Sequence, residues 1–251
     1  MPDPRPARLR VPRGADHVRD AGPAACAVRT IPLGEGRQVR MVVALPAGFT
    51  AGAAPAVILA HGAGNDMDAP FLSAVHAGLA AHGFVAVKFN FPYKEDGRRL
   101  PDRAPVLEDA FTRVLEAVRA APEIAPPRIV IGGKSLGGRM ASHLAAAGAG
   151  VAGLLLLGYP LHPAGQPERL RTAHLAQIRV PTLFFAGTRD PLCRLDLLRQ
   201  AIQRLPAPVT LHVIGGGDHA FAVPKHARRA AAEVWTEIVQ ESVRWLRTVT
   251  G

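Results

Sequence analysis

Cysteine is scarce in this chain. Only Cys26 and Cys193 occur among 251 residues, far apart and without CxxC or Cys/His ligand spacing, which argues against a disulfide framework or a zinc site and for a reducing cytoplasm. Long apolar runs are missing as well. No stretch approaches the roughly 18 consecutive apolar residues that a membrane span requires. The N-terminal MPDPRPARLRVPRGADHVRDAGPAAC is basic but lacks the apolar run of roughly 7 to 15 residues that marks a secretory leader. Residues 1–24 are therefore expected to form a loose arm, and the chain to be soluble and cytoplasmic, with no membrane partner. No internal repeat and no Ser/Gly-rich linker interrupts the remainder, so residues 25–251 are expected to form a single domain.

Acidic residues are also in deficit, with 20 Asp and Glu against 30 Lys and Arg, a formal charge of +10. Phosphate neutralisation by such an excess supplies nonspecific nucleic-acid affinity. The arginines are nevertheless spread along the chain. Short clusters at Arg98 and Arg99 and at Arg228 and Arg229 accompany no basic helix stripe, aromatic-interleaved strand or known reading motif. No specific nucleic-acid partner is expected. With 48% hydrophobic and 20% charged residues, there is ample material for a buried core.

CAVRTIPL and RQVRMVVALP read as two antiparallel strands joined at the turn Gly34 to Gly36. The pattern then changes to short apolar runs rich in branched residues: AVILA, FVAVKFNF, RIVIG, GLLLLG, TLFFAG and VTLHVI, the signature of strands covered on both faces. Helical periodicity fills the gaps. Leu107, Phe111, Val114, Leu115 and Val118 share one face, as do Leu195, Leu198, Ile202 and Leu205, and as do Val234, Ile238 and Trp245 in the last segment. Alternation of this kind predicts an α/β fold, a mostly parallel central sheet with helices on both faces.

One segment, RIVIGGKSLGGRM, carries the chemistry. Its Gly-Lys-Ser overlaps the phosphate-loop motif, but such a loop needs glycine five residues before the Gly-Lys pair's glycine, and that position holds Arg128, followed by strand-forming Ile129 to Ile131. The long cradle is absent. The same residues fit G-x-S-x-G at Gly133 to Gly137, the sharp strand-to-helix elbow that projects a serine hydroxyl above the sheet. Ser135 is then the candidate nucleophile, with the N–H of Leu136 available to an oxyanion. The plainer alternative is a βα turn whose serine only caps the helix.

A serine nucleophile needs a base and an acid after later strands, in the order Ser, Asp or Glu, His. TLFFAGTRDPL puts Asp190 after the next-to-last strand, and VTLHVIGGGDHAF puts His219 after the last. Asp190–Pro191 also reads as a helix start, Asp218 as a turn residue, and Asp196 is a second acid within the next predicted helix. The coincidence of three residue types in the required order, each at the C-terminal end of a strand, favours Ser135, Asp190 and His219. VILAHGAGNDMDAP adds His61-Gly62-Ala63-Gly64, of HGxG form, whose amides at Ala63 or Gly64 are candidates for the second oxyanion donor. His61 reads as structural, and Asn65, Asp66 and Asp68 as pocket lining or, in preference, as caps for a helix beginning near Pro70.

Taken together, HGAGNDMDAPF, FNFPY and GGKSLGGRMAS resemble the α/β-hydrolase fold, over roughly residues 40 to 250, and within it the small hydrolases related to dienelactone hydrolase. The likeness extends to a branch that includes an animal testis-expressed protein and a subunit of the nonspecific lethal acetyltransferase complex. It implies Ser135 as nucleophile, Asp190 as acid and His219 as base, with serine where dienelactone hydrolase has cysteine. The expected activity is hydrolysis of small acyl esters without cofactor or metal; the alternative is a protein-interaction subunit that keeps the fold. GYPLHPAGQPERLRTAHLAQI leaves room for a proline-rich loop and a short helix, so no large cap domain is expected. An open, shallow site follows, with Tyr159, Leu161 and Phe221 as its walls or as ordinary packing, and Arg98, Arg99 and Arg103 on solvated surface in preference to an anion-attracting role.

Overall fold

The computed structural model describes residues 25–251; the expected arm at 1–24 lies outside the described residues. An eight-stranded sheet runs in the order β1-β2-β4-β3-β5-β6-β7-β8. Strands β1 (Ala25–Gly34) and β2 (Arg37–Leu45) form the antiparallel pair, and β2 pairs antiparallel with β4 (Val85–Phe89). Strands β3 (Ala56–Ala60), β5 (Ile129–Lys134), β6 (Gly153–Leu157), β7 (Thr182–Gly187) and β8 (Val209–Ile214) join β4 in parallel. Every apolar run read as a strand is one.

Branched residues form the central strands because both faces are covered there, whereas β8 at the edge is only partly buried. Each residue of β3, β4 and β6 is buried. On one face lie helices α1 (Pro70–Ala81) and α6 (Ala231–Thr250), which place Leu72, Val75, Leu79, Val234, Ile238 and Leu246 over Val57, Leu59 and Val130. On the other lie α3 (Ala104–Ala120), α4 (Leu136–Ala146) and α5 (Leu195–Ile202), with Leu107, Phe111, Met140 and Leu198 over Ile58, Val87 and Ile131. Each such side chain contributes about 1.5–3 kcal/mol on burial, so the helical stripes, not helix propensity, set where these segments dock.

Several local readings change. The segment after Phe91, PYKEDGRRLPDRAP, which reads as a loop, holds a short helix, α2 (Pro92–Glu95), and α5 stops at Ile202, with Leu205 buried beyond its end. The proline-rich stretch after β6 condenses only into a single 3-10 turn, Leu175–Gln177. Helix α1 starts at Ala69 without a side-chain cap, contrary to the expectation for Asn65, Asp66 and Asp68. Proline at its first turn already supplies the helical φ and removes one orphan N–H. Asp66 instead accepts from the amide of Asp68 (3.0 Å), and Asp68 pairs with Lys88 (2.9 Å).

The chain reverses its direction of travel across the sheet after β3. It moves outward through α1 to β4, then returns through α3 to β5 on β3's other side. Such a switch point leaves a crevice outside the strand ends. The loops after β3 and β5 flank it. Among the described residues no helix is long and apolar enough to cross a membrane.

Candidate active site

The elbow between β5 and α4 is held by backbone contact. A methyl group at Gly133 or Gly137 would collide with the carbonyl oxygen of Ala60, and one at Gly138 would lie 2.7 Å from the carbonyl oxygen of Gly133. The helix therefore starts closer to β3 than any side chain permits, which is what the G-x-S-x-G-G pattern encodes. Ser135 pays in backbone strain, with φ 50° and ψ −110°. Its amide donates to Leu157 (3.1 Å), and its hydroxyl makes no bond to the helix it precedes. The capping alternative thus finds no support.

The hydroxyl instead meets His219. Ser135 Oγ lies 2.8 Å from His219 Nε2, and His219 Nδ1 lies 2.8 Å from Asp190 Oδ2. The carboxylate cannot donate, so the bond fixes the proton on Nδ1 and leaves Nε2 as the acceptor for the serine O–H. The Asp190 side chain is 0% exposed whereas that of His219 is 23% exposed, so the chain of bonds runs from the interior to solvent. Asp190 Oδ1 accepts from the amide of Leu192 (2.8 Å). Helix α5 begins only at Leu195, where the exposed Asp196 pairs with Arg194 at 2.5 Å.

Two loops deliver the acid and the histidine, and they are tied to each other. Arg189 donates its amide to Gly217 (2.8 Å), and the amide of Gly216 donates to Thr188 Oγ1 (2.8 Å). A methyl at Gly187 would strike the Gly217 carbonyl. Asp218 folds the second loop by accepting from the amides of Ala220 (2.8 Å) and Ala222 (2.9 Å). Neither glycine contact was anticipated from the sequence, because nothing local marks Gly187 as the neighbour of Gly217.

The HGxG loop lies against the elbow: a methyl at Gly62 would sit 3.5 Å from Ser135 Cβ. The amides of Ala63 and Gly64 are on this exposed loop, and that of Leu136 opens α4, where the first amides of a helix have no intrahelical acceptor. His61 is structural, as read. Its Nδ1 donates to Gly62 O (2.9 Å), its Nε2 accepts from the Phe91 amide (3.0 Å), and the ring packs edge-on against Phe91 and Tyr93. Burial lowers its pKa to about 4, so it stays neutral.

Of the two readings for Tyr159, Leu161 and Phe221, burial favours ordinary packing over pocket walls. All three are fully or almost fully buried, and the Tyr159 hydroxyl donates to the carbonyl of Arg171 (2.6 Å). Arg98, in contrast, sits on exposed surface as expected, paired with Asp96 (2.9 Å) and Asp102 (2.7 Å). Lys134 is a residue the sequence reading passed over. Its ammonium lies 5.4 Å from the Phe221 ring centroid, and burial lowers it to about 8 against the pull of Asp190 and Asp218. Cys193, beside Asp190 in sequence, is no rival nucleophile: burial and the Asp190 charge push its thiol up to about 12. Among the described residues no group of His, Cys, Asp and Glu side chains is arranged to hold a metal ion.

Sheet order, elbow and strand-end loops together define an α/β-hydrolase, and the chain belongs to that family: a family model described as an alpha/beta hydrolase domain matches residues 53–247. Solved structures agree in fold. A dienelactone hydrolase from Anabaena variabilis is 20% identical, with 90% of this chain and 99% of that one covered at a TM-score of 0.73. A cold-adapted esterase from an Arctic intertidal metagenomic library is 19% identical, with 90% and 94% covered at 0.67. A dienelactone hydrolase-like promiscuous phosphotriesterase from metagenomic libraries is 17% identical, with 90% and 100% covered at 0.69.

Proposed function

We propose that this protein is a serine hydrolase that cleaves small acyl esters through Ser135, His219 and Asp190. The observation that carries the reading is the unbroken chain of two 2.8 Å hydrogen bonds from Ser135 Oγ through His219 to the buried Asp190. Ser135 Oγ attacks the ester carbonyl carbon while His219 Nε2 takes its proton. Asp190 accepts from Nδ1 throughout, holding the tautomer and stabilising the imidazolium. The carbonyl electrons move onto oxygen, where the amides of Leu136 and of Ala63 or Gly64 donate to the oxyanion. Collapse breaks the bond to the alkoxy group, which leaves as an alcohol with the proton from Nε2. Water then repeats the sequence on the acyl-enzyme, with His219 again as base, and the acid departs as Ser135 recovers its proton.

These three side chains account for every proton transfer, so the scheme calls on no metal or cofactor. The metagenomic esterase of like fold supports an ester as the substrate class.

The test is intact-mass labelling with a fluorophosphonate. The native chain should take up one equivalent, and Ser135→Ala and His219→Ala should take up none. Turnover of short acyl esters should fall about 10⁴-fold or more in either variant, as expected for members of a unit that acts together. A folded native chain that resists the probe would sink the proposal and leave an interaction role for the fold.

A further inference from the structure

Four of the half-buried arginines among the described residues are paired with carboxylates. Half-buried Arg29 pairs with Glu123, Arg37 with Asp96 and Asp102, Arg113 with Asp109, and Arg229 with Glu237. Arg139 and Arg171 are half-buried too, yet among the described residues neither meets a carboxylate. The Nε of Arg139 is shielded from water with no hydrogen-bond partner, and Arg171 makes one guanidinium bond, from Nη1 to the carbonyl of Pro160 (3.1 Å). Glu108 of α3 is engaged by His143 of α4 at 2.6 Å.

The surroundings hold this arrangement in place. The amide of Arg171 donates to Leu161 (2.8 Å) and its carbonyl accepts from the Tyr159 hydroxyl (2.6 Å), which pins the loop after β6. His174, on the same loop, bonds through Nε2 to Ser142 of α4 (2.8 Å) and packs edge-on against His143 (4.2 Å). Burial first, and then the neighbouring Arg139 charge, lowers Arg171; burial, His143 and Arg139 push His174 to about 4. Two like charges held this way, short of water and without a counter-ion, cost free energy unless something else neutralises them.

We propose that Arg139 and Arg171 form an anion subsite beside Ser135, which takes a carboxylate or phosphate group carried on the ester. The proposal rests on the hydrolase reading above. Arg139 follows Ser135 by four residues and donates its amide to the Ser135 carbonyl (2.9 Å), so its backbone lies one turn of α4, about 6 Å of rise, from the elbow. The anion then sits a few bonds from the scissile carbonyl. Guanidinium groups suit the role because their planar forks match anionic oxygens two at a time.

The experiment compares para-nitrophenyl monoadipate, which bears a free carboxylate, with neutral para-nitrophenyl hexanoate at low salt. The native chain should favour the adipate in kcat/KM by about 10-fold or more, the size expected for a hydrogen bond to a charged group. That ratio should collapse towards unity in Arg139→Gln and Arg171→Gln, recover in part in Arg139→Lys, and persist in the exposed control Arg99→Gln. Equal rates in the native chain, or a preference that survives both glutamine variants, would overturn the subsite. Fluorophosphonate labelling is read in the same samples. Labelling without any preference removes the subsite and leaves the hydrolase. A folded chain that does not label removes the hydrolase, and calorimetric titration with free adipate then decides: saturable binding lost in Arg139→Gln upholds the subsite, and absence of binding overturns it. Inorganic phosphate, titrated in parallel, tells the two anions apart by which binds more tightly.

Discussion

The rim where β3, β5, β7 and β8 end and the edge formed by β1 and β2 are built by different means. At the edge, side chains decide the structure. Val39, Met41 and Val43 alternate inward along β2, while Arg37 and Arg40 reach out to Asp96 and Glu95. At the rim the backbone decides: Gly133 and Gly137 press against Ala60, Gly187 against Gly217, and Ser135 is held at φ 50°. A pattern of side chains tolerates replacement by anything of similar size and polarity. A contact between main chains tolerates only glycine. The comparison teaches that the region assigned the chemistry is also the region with the least freedom to vary.

The sharpest way to break this contrast is Gly137→Ala. The added methyl has no room against Ala60 and His61, so the elbow must shift; a loss of more than about 3 kcal/mol in stability is expected, with loss of fluorophosphonate uptake. Thermal denaturation and labelling of the same sample check both. A stable, fully labelled variant would refute the claim that backbone contact sets the elbow.

Acid should act next most strongly, through histidines buried neutral. His61 at the rim and His76 on α1 are both lowered from 6.5 to about 4, by burial first and, for His76, by Lys88 next. The folded state thus binds fewer protons than the unfolded chain between those limits. The stability they contribute is complete above about pH 6.5 and is lost as the pH falls towards 4, by an amount on the order of 3 kcal/mol each. Urea midpoints measured from pH 7 down to 4.5 should fall steadily, and a level profile would contradict the assignment.

The smallest effect belongs to the edge. Arg40→Ala breaks a 2.9 Å pair with Glu95 in which the arginine is 52% exposed. The expected cost is about 0.5 kcal/mol or less, and salt should erase it. Chemical denaturation at low and high ionic strength measures both. A cost comparable to that of Gly137→Ala would show that edge and rim are not built differently after all.

Much of this was legible in the chain itself. AVILA and GLLLLG are strands because continuous branched apolar residues fit a sheet covered on both faces. Ser135, Asp190 and His219 were singled out by their places after strands, since the C-terminal ends of a parallel sheet all point one way. Other features were not legible. Tyr159, Leu161 and Phe221 read as pocket walls or as packing and are buried in the core, Ala69 starts α1 without a side-chain cap, and Lys134 tucks beneath the histidine loop. Each depends on which loop passes over which, and residue type does not record that.

What the sequence determined alone is therefore the periodic part: apolar runs and helical stripes dictate the elements, and glycine placement dictates where the backbone turns sharply. Only the tertiary structure decided that Gly187 abuts Gly217 and that Ser135, His219 and Asp190 meet through 2.8 Å bonds. Periodicity is a property of neighbours along the chain, whereas these contacts join residues 29 to 84 positions apart, as from Asp190 to His219 and from Ser135 to His219. Sheet order and loop packing, acting over the whole core at once, bring them within reach.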